Sequence, residues 1–224
     1  MPAERPASRP VIAVDGTAAS GKGTLARRLA SHFGYAYLDT GLLYRAVAYS
    51  AWIACDRAEI DEETAVRAAE TLDTENMDEA VLRTDEIAQA ASQIAAMKAV
   101  REALVGLQRR FAADPPREAA GAVLDGRDIG TVICPAAQAK IFVDAEVDIR
   151  AARRVKELLG RGVTAIHARV LQEMRERDER DRSRSVAPLV PADDAFILDT
   201  TRMDADAAFA AALNYINSRN MSEA

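Results

Sequence analysis

The stretch Gly16-Thr17-Ala18-Ala19-Ser20-Gly21-Lys22-Gly23-Thr24 constrains this chain more than any other. It follows Val11-Ile12-Ala13-Val14, a short apolar run that suits a strand buried on both faces. It precedes Leu25, Leu29 and Phe33, which recur at intervals of four as one face of a helix, with Gly34 as a natural stop. A small-residue loop in that setting lets backbone N–H groups converge on phosphate oxygens, and the helix amino terminus adds partial positive charge. Lys22 brings a full charge to the β- and γ-phosphates of a nucleoside triphosphate. The usual pattern has Ser or Thr directly after the lysine to meet Mg2+. Here Gly23 intervenes, and the Thr24 hydroxyl is the metal candidate, acting through water. A glycine-rich turn with a surface lysine would explain the glycines but not the flanking strand and helix. The motif by itself suits a GTPase, an ATPase motor or a small-metabolite kinase equally.

Further strands are expected at Tyr35–Leu38, Ala122–Leu124, Ile141–Val143 and Phe196–Leu198, with helical patterns between them. That alternation means an α/β fold, a parallel sheet with helices on both faces. Residues 56–111 are Ala-rich, acid-rich and too long for a simple crossover, so they read as an inserted subdomain. Residues 147–184 form a second excursion, two charged helical stretches around Gly160-Arg161-Gly162. Residues 11–55, 112–146 and 185–224 then make the core, and 1–10, rich in Pro and polar residues, a disordered leader.

The leader lacks the apolar core of a signal peptide, and no stretch approaches the ~18–20 apolar residues that span a bilayer. A cytoplasmic location is the expectation. Cys55 and Cys134 are far apart and without a metal-ligand pattern, so they read as reduced structural thiols; His32 and His167 are equally isolated. The net charge of −6 argues against a chain whose task is gripping a nucleic acid backbone. It does not oppose a small anion, because clustered arginines can dominate one cleft.

Two motifs fall where strands should end, the place where an open parallel sheet binds ligands. Asp39-Thr40-Gly41-Leu42-Leu43-Tyr44-Arg45 follows the second strand, and Asp125-Gly126-Arg127-Asp128 the third. The latter could alone be a mere Asp-Gly turn. Val163, Ile166, Val170 and Met174 form an apolar stripe whose helical steps continue to Arg177, Asp181 and Arg184. A helix crossing from core to cleft and a solvated helix with i,i+4 ion pairs explain that pattern equally well. The alternating signs over 175–184 give little support to a polybasic nucleic-acid arm. No N/TKxD segment is present for reading guanine.

The blocks GTAASGKGT, LDTGLLYR, AASQIAAMKAVREAL, LDGRDIGTV and RDERDRSRSVAPLVPADDA, in order from about Val11 to Thr200, resemble the bacterial cytidylate kinase family. The resemblance implies a P-loop nucleoside-monophosphate-kinase-like fold: a five-stranded parallel sheet flanked by helices, with an NMP-binding insertion and a mobile lid. It implies transfer of the γ-phosphoryl group of ATP, with Mg2+, to CMP or dCMP, by a monomer with no nucleic acid or membrane partner. On that pattern Arg45 and Arg127 hold the CMP phosphate, with Thr40 and Asp125 beside the substrate. Ser92, Arg101 and Asp128 read the cytosine edge. Asp181, Arg177 and Arg184 contact ribose and phosphates. Lys22, Arg127, Arg177 and the lid residue Arg153, next to Arg154, attend the moving phosphoryl group.

Two departures matter. Some family members carry a small β-sheet in the insertion, for which residues 71–84 leave little room. Ser92 and Arg101 stand nine residues apart, on opposite faces of a straight helix. For both to touch one base the chain must break near Met97-Lys98-Ala99, where no Pro or Gly enforces it.

Overall fold

The computed structural model describes residues 9–74 and 77–219. Most of the expected leader therefore lies outside the described residues. Its last member, Pro10, belongs to the core, since its carbonyl accepts the Ala122 N–H at 2.9 Å.

Strands β1 (Val11–Gly16), β2 (Ala36–Asp39), β3 (Ala122–Gly126), β4 (Ala139–Asp144) and β5 (Phe196–Asp199) form one sheet. Its order is β2-β3-β1-β4-β5, and every pairing is parallel. All five strands run beyond their last apolar residue to an aspartate. The backbone ladder continues past the last apolar side chain, and in β1 and β3 the aspartate itself is buried. The register sets Val14 beside Asp125 and Asp15 beside Gly126, so the phosphate loop leaves the sheet next to the Asp125–Asp128 motif.

Helices α1 (Lys22–Phe33) and, at the chain's other end, Ala205–Ser218 cover one face of the sheet, packing Leu25, Leu29, Ala212 and Ile216 on Ile12, Val14 and Ile141. Helix α2 (Thr40–Ala54) follows β2, and residues 56–111 hold α3 (Glu62–Glu70), α4 (Glu79–Leu82), α5 (Asp85–Ile94) and most of α6 (Lys98–Ala113). Asp39, Asp61 and Asp78 cap α2, α3 and α4 with side-chain oxygens, satisfying amino-terminal N–H groups. Val47, Ala51, Ala65, Ile94, Val100 and Leu104 build a second core among these helices. Among the described residues of 56–111 there is no strand; Glu75 and Asn76 lie outside them.

The break between α5 and α6 is present, with Met97 extended at φ −74° and ψ 118°. It has two physical sources. Ile94, Ala95, Val100 and Leu104 all enter the second core, which one straight helix could not arrange. The carbonyl of Ala95, near the break, accepts Arg101 Nη1 at 3.2 Å.

Helices α7 (Val147–Gly160) and α8 (His167–Ser183) form a hairpin packed through Ala151, Leu158, Val170 and Met174. The apolar stripe starts later than its spacing suggests. Val163 and Ile166 are exposed and precede α8, because Gly162, left-handed at φ 76°, lies in the turn between the helices. Arg184 stands just past the end of α8 in extended conformation. From Val170 onward the core-to-cleft alternative holds: Met174 and Asp181 are buried on the same stripe. The last helix, Ala205–Ser218, becomes α9. No helix among the described residues is long and apolar enough to cross a membrane, and Cys55 and Cys134 are both free.

Candidate active site

The phosphate loop is shaped by its own polar groups. A Cβ on Gly16, at φ 149°, would lie 2.0 Å from the Val143 carbonyl oxygen, so only glycine fits. Thr17 Oγ1 donates to Asp144 Oδ1 at 2.7 Å, and Ser20 Oγ donates to the Thr17 carbonyl at 2.9 Å. These two buried hydroxyls hold the loop, while Ala18, Ala19 and Gly21 to Thr24 line a hollow of about 500 Å³.

Lys22 Nζ lies 3.6 Å from Asp125 Oδ1. Burial, and then the charge of Arg127, lower the ammonium to about 8. Asp125 Oδ2 accepts from Tyr37 OH at 3.3 Å, whereas Oδ1 is buried without a hydrogen-bond partner. A Cβ on Gly23 would come within 3.0 Å of Asp125 Oδ2. The carboxylate from β3 thus crowds the space where a Ser or Thr after the lysine would sit, which accounts for the departure from the usual motif.

Arginines gather at the other side of the same hollow. Arg45 projects from α2, Arg127 from the end of β3, Arg154 from α7 and Arg177 from α8. Burial, followed by repulsion from Arg154, lowers Arg45 to about 10, although its Nη1 donates to the Leu82 carbonyl at 2.9 Å. Burial, followed by repulsion from Arg127, lowers Arg177 to about 10. Its Nε has no hydrogen-bond partner. Among the described residues neither Arg45 nor Arg177 has a carboxylate within ion-pair distance.

A smaller pocket, about 60 Å³, continues from this cluster and shares Arg45, Arg127 and Arg177 with the main hollow. Ser92, Arg101, Asp128, Asp181 and Arg184 line it. Arg101 pairs with Asp128, and Arg127 Nε donates to Asp181 Oδ2 at 3.0 Å. Burial alone would raise the Asp181 carboxyl, but Arg127 and Arg177 hold it below its usual value. Arg184 lies 3.9 Å from Asp128 Oδ1 and 4.0 Å from Asp181 Oδ1. Ser92, on α5, is buried and receives Arg180 Nε at 3.5 Å. The α5–α6 break thus brings Ser92 and Arg101 to one pocket.

Two expected residues line the pockets while bonding to backbone carbonyls, Thr40 in the smaller and Arg153 in the main hollow. Thr40 Oγ1 donates to the Asp125 carbonyl at 2.7 Å, tying α2 to β3 at the pocket wall. Arg153 Nη2 donates to the Thr200 carbonyl at 2.6 Å and Nη1 to the Ser20 carbonyl at 3.3 Å, so its guanidinium clasps the loop after β5 to the phosphate loop. Arg154 rather than Arg153 sits electrostatically against Arg45 and Arg177, while pairing with Asp85 and Glu157. On a helix adjacent residues diverge by ~100°, and the sequence does not say which of the two turns inward.

Sequence reasoning missed the buried Arg150–Asp178 pair, with contacts of 3.2 and 2.5 Å. Arg150 Nη1 also donates to the Ala18 carbonyl at 3.3 Å, joining α7, α8 and the phosphate loop. The signal was available: a step of four from Met174 reaches Asp178, as a step of three reaches Arg177. Asp15 was missed as well. Its carboxylate accepts the backbone N–H groups of Ile129 and Gly130 at 2.7 and 2.8 Å, and burial pushes its carboxyl up to about 7.

A parallel sheet that sets a lysine-bearing phosphate loop across one hollow from clustered arginines defines a P-loop kinase acting on a small anionic acceptor. The family model for cytidylate kinase matches residues 12–218, and the chain belongs to that family. It is 58% identical to a cytidylate kinase of Paramagnetospirillum magneticum, over 93% of this chain and 98% of the relative. It is 56% identical to a cytidylate kinase of Xanthobacter autotrophicus, again over 93% of this chain and 98% of the relative. Among solved structures, an uncharacterized protein from Eubacterium ventriosum superposes with a TM-score of 0.52 at 16% identity, covering 94% of this chain and 99% of the other. That likeness concerns the fold alone.

Proposed function

We propose that this chain transfers the γ-phosphoryl group of ATP to CMP or dCMP, giving ADP and CDP or dCDP, with the acceptor phosphate lying among Arg45, Arg127 and Arg177. The observation that carries the placement is the pair of half-buried guanidinium groups, Arg45 and Arg177, that line one hollow with Lys22 and have no ion-paired carboxylate among the described residues. A buried charge is tolerated when an opposite charge meets it, and an acceptor phosphate supplies that charge. Its oxygen is already ionised near neutral pH, so no strong general base is required. The residues align two mutually repelling anions and neutralise charge on the moving phosphoryl group.

Cytosine carries an N4 amino donor where uracil carries an acceptor. Asp128 accepts that donor, with Arg101 and Ser92 on the remaining edge. Residues 56–111 act as the acceptor-binding insertion and 147–184 as the lid. Arg161 Nη1 reaches the Arg83 carbonyl at 2.9 Å, and Arg154 pairs with Asp85, so the two segments meet over the hollow. Closure of that kind excludes water and limits ATP hydrolysis. Arg154 is the lid arginine at the phosphoryl group, and Arg153 holds the lid base to the donor loop.

The residues fit Mg2+. Asp125 Oδ1 is an orphaned buried acceptor, Thr24 lines the same hollow, and hard oxygen donors suit that ion. Among the described residues no three His, Cys, Asp or Glu side chains form a protein-made metal cage, so Mg2+ would arrive with ATP, held by Asp125 and Thr24 directly or through water. When bound, it neutralises charge on the phosphates. Residues of one chain line both pockets, so the reading needs no second copy: a monomer acting in the cytoplasm. The test is ADP formation with CMP, dCMP, UMP and AMP in turn. CMP and dCMP should react well and UMP and AMP poorly; strong turnover of UMP or AMP without CMP contradicts the assignment.

A further inference from the structure

Asp15 is buried yet lines neither the main hollow nor the small pocket. Its two oxygens accept the N–H groups of Ile129 and Gly130 at 2.7 and 2.8 Å. Those groups open the turn Ile129–Ile133, in which Val132 and Ile133 donate to the Asp128 carbonyl and Cys134 to the Ile129 carbonyl, while Arg109 donates to the Val132 and Ile133 carbonyls. The backbone of Asp128 therefore lies inside a turn that a carboxylate from another strand caps. The turn has little freedom elsewhere. A Cβ on Gly130 would meet Lys140 Cδ at 3.2 Å and Asp15 Oδ2 at 3.4 Å. Asp15 also directly precedes Gly16, the first residue of the phosphate loop. One side chain thus joins the strand that launches the donor loop to the turn that carries Arg127 and Asp128.

We propose that Asp15 is a positioning residue for acceptor recognition, fixing the turn so that Asp128 faces the base and Arg127 faces the phosphate. The inference rests on the acceptor reading given above. A buried N–H left without an acceptor is costly. In Asp15→Asn one oxygen becomes an NH2 group that cannot accept, so one of the two turn amides loses its partner and the turn shifts. Asp128 keeps its chemistry and loses its position.

The experiment is a double-mutant cycle on steady-state kinetics, with D15N, D128N and the double variant assayed on CMP and UMP and with ATP titrated separately. For D15N, kcat/KM on CMP should fall by about 10- to 100-fold, with UMP falling less and the KM for ATP moving less than about twofold. In the D128N background, D15N should have little further effect on the CMP-to-UMP ratio. A uniform loss on CMP, UMP and ATP, or a full additive loss in the D128N background, means that Asp15 only supports the fold and overturns the proposal. If D15N does not fold, Asp15→Glu keeps the charge and both acceptors but displaces them by one methylene, and the same ratios decide. A wild-type enzyme inactive on CMP would instead refute the functional reading, so the two failures are distinguishable.

Discussion

The two sides of the hollow solve the same problem, holding an anion, by different means. The donor side is made of backbone. Nine consecutive residues carry the motif, Ser20 braces it internally, Thr17 ties it to Asp144 on β4, and a single lysine projects into the hollow. The acceptor side is made of long side chains from α2, α5, α6, α8 and the end of β3. Its charges partly satisfy one another, as in Arg101–Asp128 and Arg127–Asp181, and partly do not, as in Arg45 and Arg177. A preformed backbone cradle keeps its shape whether or not a ligand is bound. On the proposed reading a self-paired cluster exchanges partners as its ligand enters, and specificity would reside there.

The comparison breaks first at Lys22. Replacing it with Met should lower kcat by about 10³-fold or more, while calorimetric CMP binding stays within a few fold. Comparable losses in both would mean that the two sides are not separable. The second test is Arg177→Met, for which kcat/KM on CMP should fall by about 10²- to 10³-fold. Its melting temperature should hold or rise, because the change removes a cation disfavoured by burial and then by Arg127. A large fall in melting temperature would assign Arg177 a structural role. Asp128→Asn is narrower: discrimination of CMP from UMP should shrink by about 5- to 100-fold, with ATP affinity unchanged.

The smallest effect is a pH effect on the donor side. Lys22 is lowered to about 8 by burial and then by Arg127, so the nucleotide-free enzyme loses that proton above this value. Bound phosphates restore the charged form. ATP binding should take up protons about one unit above pH 8 and far fewer one unit below, measured by calorimetry in buffers of different ionisation enthalpy. In the unliganded protein the same shift makes stability rise between about 8 and the ordinary value of 10.5, because there the unfolded chain holds more protons. Uptake that persists in Lys22→Met would assign it to another group.

The same contrast explains what was legible in the sequence. The sheet, the donor loop and its helix were readable because each is local: Val11–Val14, the small residues and the Leu25–Leu29–Phe33 spacing lie side by side. The sequence motifs also pointed to Arg127, Asp128 and Asp181, and the family resemblance, by assigning Ser92 and Arg101 to one base, to the α5–α6 break. Side-chain direction was not legible. Arg153 and Arg154 are adjacent and of one type, and only the packing of α7 on α8 decides which guanidinium turns toward Arg45. Asp15 was hidden for a related reason: a carboxylate at the end of a strand looks like rim polarity until a turn more than a hundred residues later docks on it. The early start assigned to the α8 stripe failed because Val163 and Ile166 match a helical period while lying in the turn before α8.

The central claim is that ATP and the acceptor meet end to end between Lys22 and the arginines. A bisubstrate analogue with adenosine and cytidine joined through five phosphates tests it most directly. The account predicts inhibition competitive with both ATP and CMP, at one molecule per chain and with affinity well above either nucleotide, reduced by both K22M and R177M. Competition with only one substrate, or loss of affinity in only one of the two variants, would contradict it.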